Sequence, residues 1–195
     1  MRPLYLVGWG YVAIASMLVY RAQHPAAYEP LHEVPSGPVG AFGSAAQQWF
    51  ASVKPQCNAL EVELTMTRSP APAGWEGSGF AAACYALEGK IGRARALIEA
   101  LPDGEQTQAV GIVFEVGHPV ADAGDDESAG PIMELVVRYW PNHYMALYHA
   151  GIAQYRIGQH ELAIKNLEAF LQYYHEDDGW TGSAQAVLKE LRGGR

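Results

Sequence analysis

The side chains in this sequence with the widest chemical reach are two cysteines, Cys57 and Cys84, and seven histidines. Cys57 falls near the start of one predicted helix and Cys84 near the end of the next, and an antiparallel hairpin brings such ends together. A disulfide there would close a loop of about 28 residues and stabilise the fold by about 3 kcal/mol through loss of unfolded-chain entropy. The alternative is a pair of small buried thiols at a helix interface. Neither cysteine belongs to a CxxC or haem-attachment pattern. His24, His32, His118, His143, His149, His160 and His175 include no HExxH and no two histidines four apart on a predicted helix, which argues against a metal site. His160-Glu161 resembles the start of such a motif, but no histidine follows at the required spacing. Two acidic clusters, Asp122 with Asp125, Asp126 and Glu127, and Glu176 to Asp178, precede predicted helices. Carboxylates placed so accept orphan backbone N–H bonds and meet the positive end of the helix dipole. Neither cluster alternates as calcium ligands do. With no GxSxG and no phosphate-cradling glycine loop, the chain is expected to be no enzyme, to need no cofactor and to take no small-molecule substrate.

The elements that must position these residues read as helices. From Ser44 onward apolar residues recur at three- and four-residue spacings, with Gly or Pro between segments. The spacing predicts helices over 44–53, 55–67 with Pro55 at its start, 77–88, 91–101, 105–117, 127–140, 143–157, 160–174 and 180–192. Strands have little support, so the expected class is all-α. His118-Pro119 is expected to end the 105–117 helix early and leave VADAGDD as an irregular turn.

Periodicity on a longer scale ties the segments together. Gly89, Gly124 and Gly158 lie 35 and 34 residues apart; each is followed five residues later by alanine (Ala94, Ala129, Ala163) and preceded seven residues earlier by a small residue (Ala82, Gly117, Gly151). Two helices joined by a glycine turn pack closest where both are small. This register resembles the tetratricopeptide repeat. The stretch LYHAGIAQYRIGQHELAIKNLEAFL, Leu147 to Leu171, carries the resemblance best through Gly151, Ala153, Gly158, Ala163, Ile164, Leu167 and Phe170. The middle unit keeps Gly117, Gly124, Ala129, Met133 and Val136, with Pro141 at its end. The resemblance implies an α-solenoid over 44–192, with helical-hairpin repeats at about 75–106, 110–141 and 144–175 and a capping helix at 180–192.

In tetratricopeptide proteins the first helix of each unit lines a concave groove that receives a partner's peptide or helix. Carried over, this points to Phe114 and His118 in the middle unit and to Tyr148, Ile152, Tyr155 and Arg156 in the last. Tyrosine and arginine bury large areas at low entropic cost, which suits them to anchor a partner. The alternative is that Tyr148 and Ile152 pack against the capping helix or the neighbouring unit.

The first twenty residues point to a membrane. Leu4 to Tyr20 are seventeen residues without a charge, bracketed by Arg2 and Arg21. As a helix they would cover roughly 25 Å of the ~30 Å hydrocarbon layer. Trp9, Tyr11 and Tyr20 suit the interfaces as anchors, and the arginines suit the headgroups. Ala13-Ile14-Ala15 would allow a cleaved signal peptide instead, but the apolar run continues through Met17, Leu18 and Val19. Residues 22–43, with four prolines and three glycines, read as a tether. Beyond Arg21 there are 11 Lys or Arg against all 21 Asp and Glu, a net −10 that would repel nucleic acid. The sparse basic residues and the cysteine pair favour a cytoplasmic N-terminus and a periplasmic domain. The expected function is a membrane-anchored, non-enzymatic scaffold. It would be an architectural or assembly subunit of a multi-protein membrane complex, contacting its other proteins and, through residues 4–20, the lipid bilayer. The alternative is a periplasmic peptide-binding adaptor or chaperone.

Overall fold

A computed structural model of the chain describes residues 43–193. The expected span over 4–20, its anchors Trp9, Tyr11 and Tyr20, and the tether up to residue 42 lie outside the described residues. Within them, no helix is long and apolar enough to cross a membrane.

The first helix among the described residues begins at a capping box. Ser44 Oγ accepts from the Gln47 N–H at 3.1 Å, and the Ser44 N–H donates to Gln47 Oε1 at 2.9 Å. This starts α1 (Ala45–Val53), which passes into a 3-10 turn (Lys54–Gln56) and, after an irregular stretch, α2 (Val62–Arg68). A single helix over 55–67 is therefore corrected to a turn and a shorter helix. Pro55 offers no N–H, and Asn58 Oδ1 accepts from the backbone of Leu60 and Glu61 at 3.2 Å each, drawing that backbone away from a helix ladder. The remaining helices are α3 (Trp75–Leu87), α4 (Ile91–Glu99), α5 (Asp103–Asp122), α6 (Asp126–Tyr139), α7 (Tyr144–Arg156), α8 (His160–Tyr173) and α9 (Gly179–Gly193). No strand occurs among the described residues, and the fold is all-α.

The same turn closes three successive hairpins. Gly89, Gly124 and Gly158 stand at φ of 74°, 82° and 77°. In each, the next residue's N–H donates five residues back: Lys90 to Tyr85 O at 2.9 Å, Asp125 to Val120 O at 3.2 Å, and Gln159 to Gln154 O at 2.8 Å. This is the glycine C-cap in which a left-handed residue lets the chain reverse while the last carbonyls stay bonded. It pairs α3 with α4, α5 with α6 and α7 with α8. At the small positions the helices nearly touch. A methyl added at Gly117 would stand 2.7 Å from Ile132 Cγ2, and one at Gly151 2.7 Å from Leu167 Cγ. Ala94, Ala129 and Ala163, on the second helices, are buried.

Neighbouring hairpins stack through α3 on α5 and α6 on α7. At the latter contact a methyl on Gly130 would meet Ala153 Cβ at 2.7 Å. A polar ladder, buried at Gln154 and Asn166, crosses the last three hairpin helices. Gln154 Nε2 donates to Glu134 Oε1 at 2.8 Å, and Asn166 Nδ2 donates to Gln154 Oε1 at 2.8 Å. Beyond it, α9 covers the end of the stack with Ala184 and Leu188 over Leu147, Leu167 and Phe170. Phe170 and Leu167 are fully buried, each contributing about 2 kcal/mol of apolar transfer.

At the other end, α1 and α2 are held on α3. Phe50 stacks on Phe80 with centroids 4.8 Å apart, and Trp49 Nε1–H donates to Ser69 O at 3.0 Å. Val62 is fully buried. Cys57 and Cys84 form a disulfide, with Cα atoms 5.0 Å apart.

The helix expected to stop at His118 instead runs through Pro119 to Asp122. Proline deprives the Glu115 carbonyl of its donor, yet both Glu115 and Pro119 are exposed, so water can bond that carbonyl and the helix continues. Pro131 sits within α6 on its exposed face in the same way.

Candidate functional site

Because α5 continues past Pro119, Phe114, His118 and Asp122 recur at four-residue intervals along one stripe of it. Facing them are His143, at the N-cap of α7, and His149, within it. Trp180, in the first turn of α9, completes the face from the far side.

The rings form a continuous series. Trp140 lies 4.6 Å from His143, which lies 4.1 Å from Phe114. Phe114 stacks on His118 at 4.7 Å, His118 meets His149 edge-on at 5.1 Å, and His149 meets Trp180 at 5.3 Å. These separations suit stacked and edge-to-face pairs. His143 Nδ1 accepts from the Ala146 N–H at 3.3 Å, so this imidazole caps its helix through a lone pair.

At the middle of the series the polar atoms converge. His118 Nε2 lies 3.3 Å and His149 Nε2 lies 3.8 Å from the same atom, Asp122 Oδ1. Neither Nε2 has a hydrogen-bond partner, and both are buried. One ligand atom from each of His118, Asp122 and His149 lies within 4.8 Å of the others, so these three could hold a metal ion. His149 is lowered to about 4, chiefly by burial and also by the neighbouring His118, with Asp122 pulling the other way. His143 is likewise lowered to about 4, chiefly by burial. Both imidazoles are therefore uncharged at neutral pH.

The six residues carried over as groove residues do not form one surface. Phe114 is buried and His118 half-buried, both in the ring series. Tyr148, half-buried, lies 4.7 Å from Trp180 and 5.2 Å from Phe170, beside that series. Ile152 packs into the terminal core with Leu147, Leu167, Phe170 and Leu188, under α9. Tyr155 is half-buried near the end of α7. Arg156 is exposed and engages the preceding hairpin's turn, where its Nη1 pairs with the buried Asp126 carboxylate and donates to Gly124 O at 3.4 Å. Arg156 thus ties the third hairpin to the second.

The acidic clusters divide as well. Asp125 caps α6, accepting from the Ser128 N–H at 3.1 Å, and Asp178 Oδ1 accepts from the N–H groups of Trp180 and Thr181 at 2.9 and 3.2 Å. Asp122 caps nothing; it faces the two histidines. Sequence reasoning missed Asp122, His143, His149 and Trp180. The signal within reach was His118 and Asp122 at the i, i+4 spacing, hidden by the expectation that Pro119 breaks the helix.

Compared with known proteins, the chain matches no family model, no curated protein and no solved structure.

Proposed function

We propose that this chain is a non-enzymatic helical-repeat scaffold. It is tethered to a membrane through residues 4–20 and serves as an architectural or assembly subunit of a multi-protein membrane complex. The observation that carries this reading is the recurrence of one hairpin three times in one register, each closed by a left-handed glycine. Stacks of this kind, which the tetratricopeptide resemblance of 75–175 suggests, build surface by repetition rather than a single enclosed cavity. Their function lies in what docks along them. The half-buried Tyr148 and His118, with Trp180 at the start of the capping helix, supply aromatic contact area of the type that anchors partners. The disulfide between Cys57 and Cys84 supports an oxidising compartment for the domain, the periplasm if the cell is bacterial.

The test is the mass and composition of the particle released from native membranes by mild detergent, with the chain tagged at its C-terminus. A large assembly of fixed stoichiometry is expected, and Tyr148→Ala should deplete the chain from it without loss of helical content. A lone protomer carrying substoichiometric peptides would replace the subunit reading with a periplasmic adaptor.

A further inference from the structure

We propose that His118, Asp122 and His149 form a binding site for a divalent transition-metal ion of zinc's character, held between the second and third hairpins with one coordination position left open.

Three observations converge on it. First, the helical spacing of α5 puts an imidazole and a carboxylate on one face, and α7 brings a second imidazole from across the hairpin interface. Second, the carboxylate-to-imidazole separations are near those of a metal site. Nitrogen and oxygen ligands at about 2.0–2.2 Å from a tetrahedral zinc stand roughly 3.3–3.5 Å from one another. The two imidazole nitrogens lie 3.3 and 3.8 Å from Asp122 Oδ1, and all three ligand atoms fall within 4.8 Å. Turning the two imidazole rings toward a common point beside Asp122 would close the set. Third, the site is chemically unfinished without an ion. His149 is only 6% exposed, yet its Nε2 has no hydrogen-bond partner, and neither has the buried Nε2 of His118. Buried polar groups in folded proteins are nearly always paired, and one ion between the two nitrogens and Asp122 Oδ1 would pair both.

The donor set selects the ion. Two nitrogens and one carboxylate oxygen suit zinc and its neighbours in the first transition row, whereas calcium and magnesium take oxygen ligands. Three protein ligands leave a fourth position for water or an incoming donor. Asp122 has 55% of its side chain exposed, against 18% for His118 and 8% for His149, so the ion's way in is from the carboxylate side. A bound ion would fasten α5 to α7 and set the angle between the second and third hairpins. The site is independent of the scaffold reading, since it rests on the placement and burial of three side chains.

The test uses the full chain, purified in mild detergent, stripped with EDTA and freed of chelator. Zn²⁺ is titrated calorimetrically, and Co²⁺ is followed by its visible absorption, whose intensity reports tetrahedral coordination. One Zn²⁺ per chain is expected, with an increase in thermal midpoint of about 5–10 °C when the free ion is at roughly a hundred times its dissociation constant. Asp122→Asn and His149→Gln should each weaken binding by about a hundred-fold or more, exceeding the effect of losing a supporting group around a metal. His160→Ala and His175→Ala, at exposed positions on or beside α8, should leave it unchanged. Asp122 is exposed, so Asp122→Asn tests the site even if His149→Gln perturbs packing. Failure of the folded chain to bind Zn²⁺, or equal binding by Asp122→Asn, His149→Gln and the natural chain, would overturn the proposal.

Discussion

Reducing the Cys57–Cys84 disulfide removes a covalent constraint without removing any side chain from the core, which makes its effect calculable. The two residues are 27 apart in sequence. In the chain-entropy model a loop of this length lowers unfolded-state entropy enough to stabilise the fold by about 3.5 kcal/mol at 25 °C. For a domain of this size a kcal/mol corresponds to about 2–4 °C of thermal midpoint, so reduction should lower the midpoint by about 7–14 °C. The loss should not be uniform. Without the bond, α1 and α2 keep the Phe50–Phe80 stack, the Trp49–Ser69 hydrogen bond, buried Val62 and the ion pair of Lys90 with Glu63 at 3.2 Å. The last is a partly exposed pair and adds little. Amide exchange under reducing conditions should therefore rise first over residues 45–68 and leave α5 to α9 protected. The assay is calorimetry with and without a thiol reductant, followed by hydrogen exchange at the same pH. Cys57→Ala serves as a second route, since Cys57 is the less buried partner. Midpoints agreeing within about 2 °C, or protection lost evenly along the chain, would refute both the entropic estimate and the view of 45–68 as a stapled appendage.

The close approach of α7 and α8 predicts opposite effects from one chemical change. Gly151→Ala should destabilise by about 1 kcal/mol, overpacking against Leu167 outweighing the gain in helix propensity, while Gly111→Ala, whose methyl would stand an ordinary 3.6 Å from Trp140, should stabilise by up to about 1 kcal/mol; urea midpoints decide. His143, lowered from 6.5 to about 4 by burial with His118 adding to the shift, caps α7 only while unprotonated. Its folded value is depressed, so its contribution is full above pH 6.5 and lost as pH falls from 6.5 to 4; His143→Asn, which keeps a capping oxygen but does not titrate, should lessen the loss of stability across that window, the remainder belonging to His149. Tyr174 donates to Asp178 Oδ2 at 2.6 Å, and that hydrogen bond, followed by burial, raises it to about 12. Its folded value is raised, so its contribution is full below pH 10 and lost as pH rises from 10 to 12. Circular dichroism of Tyr174→Phe should show that part of the alkaline loss removed.

Much of the scaffold was legible because local chemistry determines it. A glycine followed by alanine at five residues and preceded by a small residue at seven suits a tight helical hairpin, and Gly89, Gly124 and Gly158 all close one. The helix over 55–67 was misread because Pro55 starts a helix or a 3-10 turn equally well, and Asn58 decides between them through side-chain bonds to nearby backbone. Pro119 was misread because a proline's cost depends on where the orphaned carbonyl points. On the exposed side of α5 water reaches it, and exposure is a property of packing. That helix continuation places Asp122 beside His118, while His149, far along the chain, arrives only because α6 folds back and carries α7 against α5. Tyr148 and Ile152, four apart on α7, share a stripe by periodicity, and both pack on the terminal core beside α9, Ile152 buried and Tyr148 half-buried against Trp180, as the alternative reading expected. The sequence by itself determined the hairpins, because turns and close helix contacts depend on residues near in the chain. Only the tertiary structure decided which imidazoles meet a carboxylate and which apolar side chains are covered, because those depend on the angle at which one hairpin lies on the next.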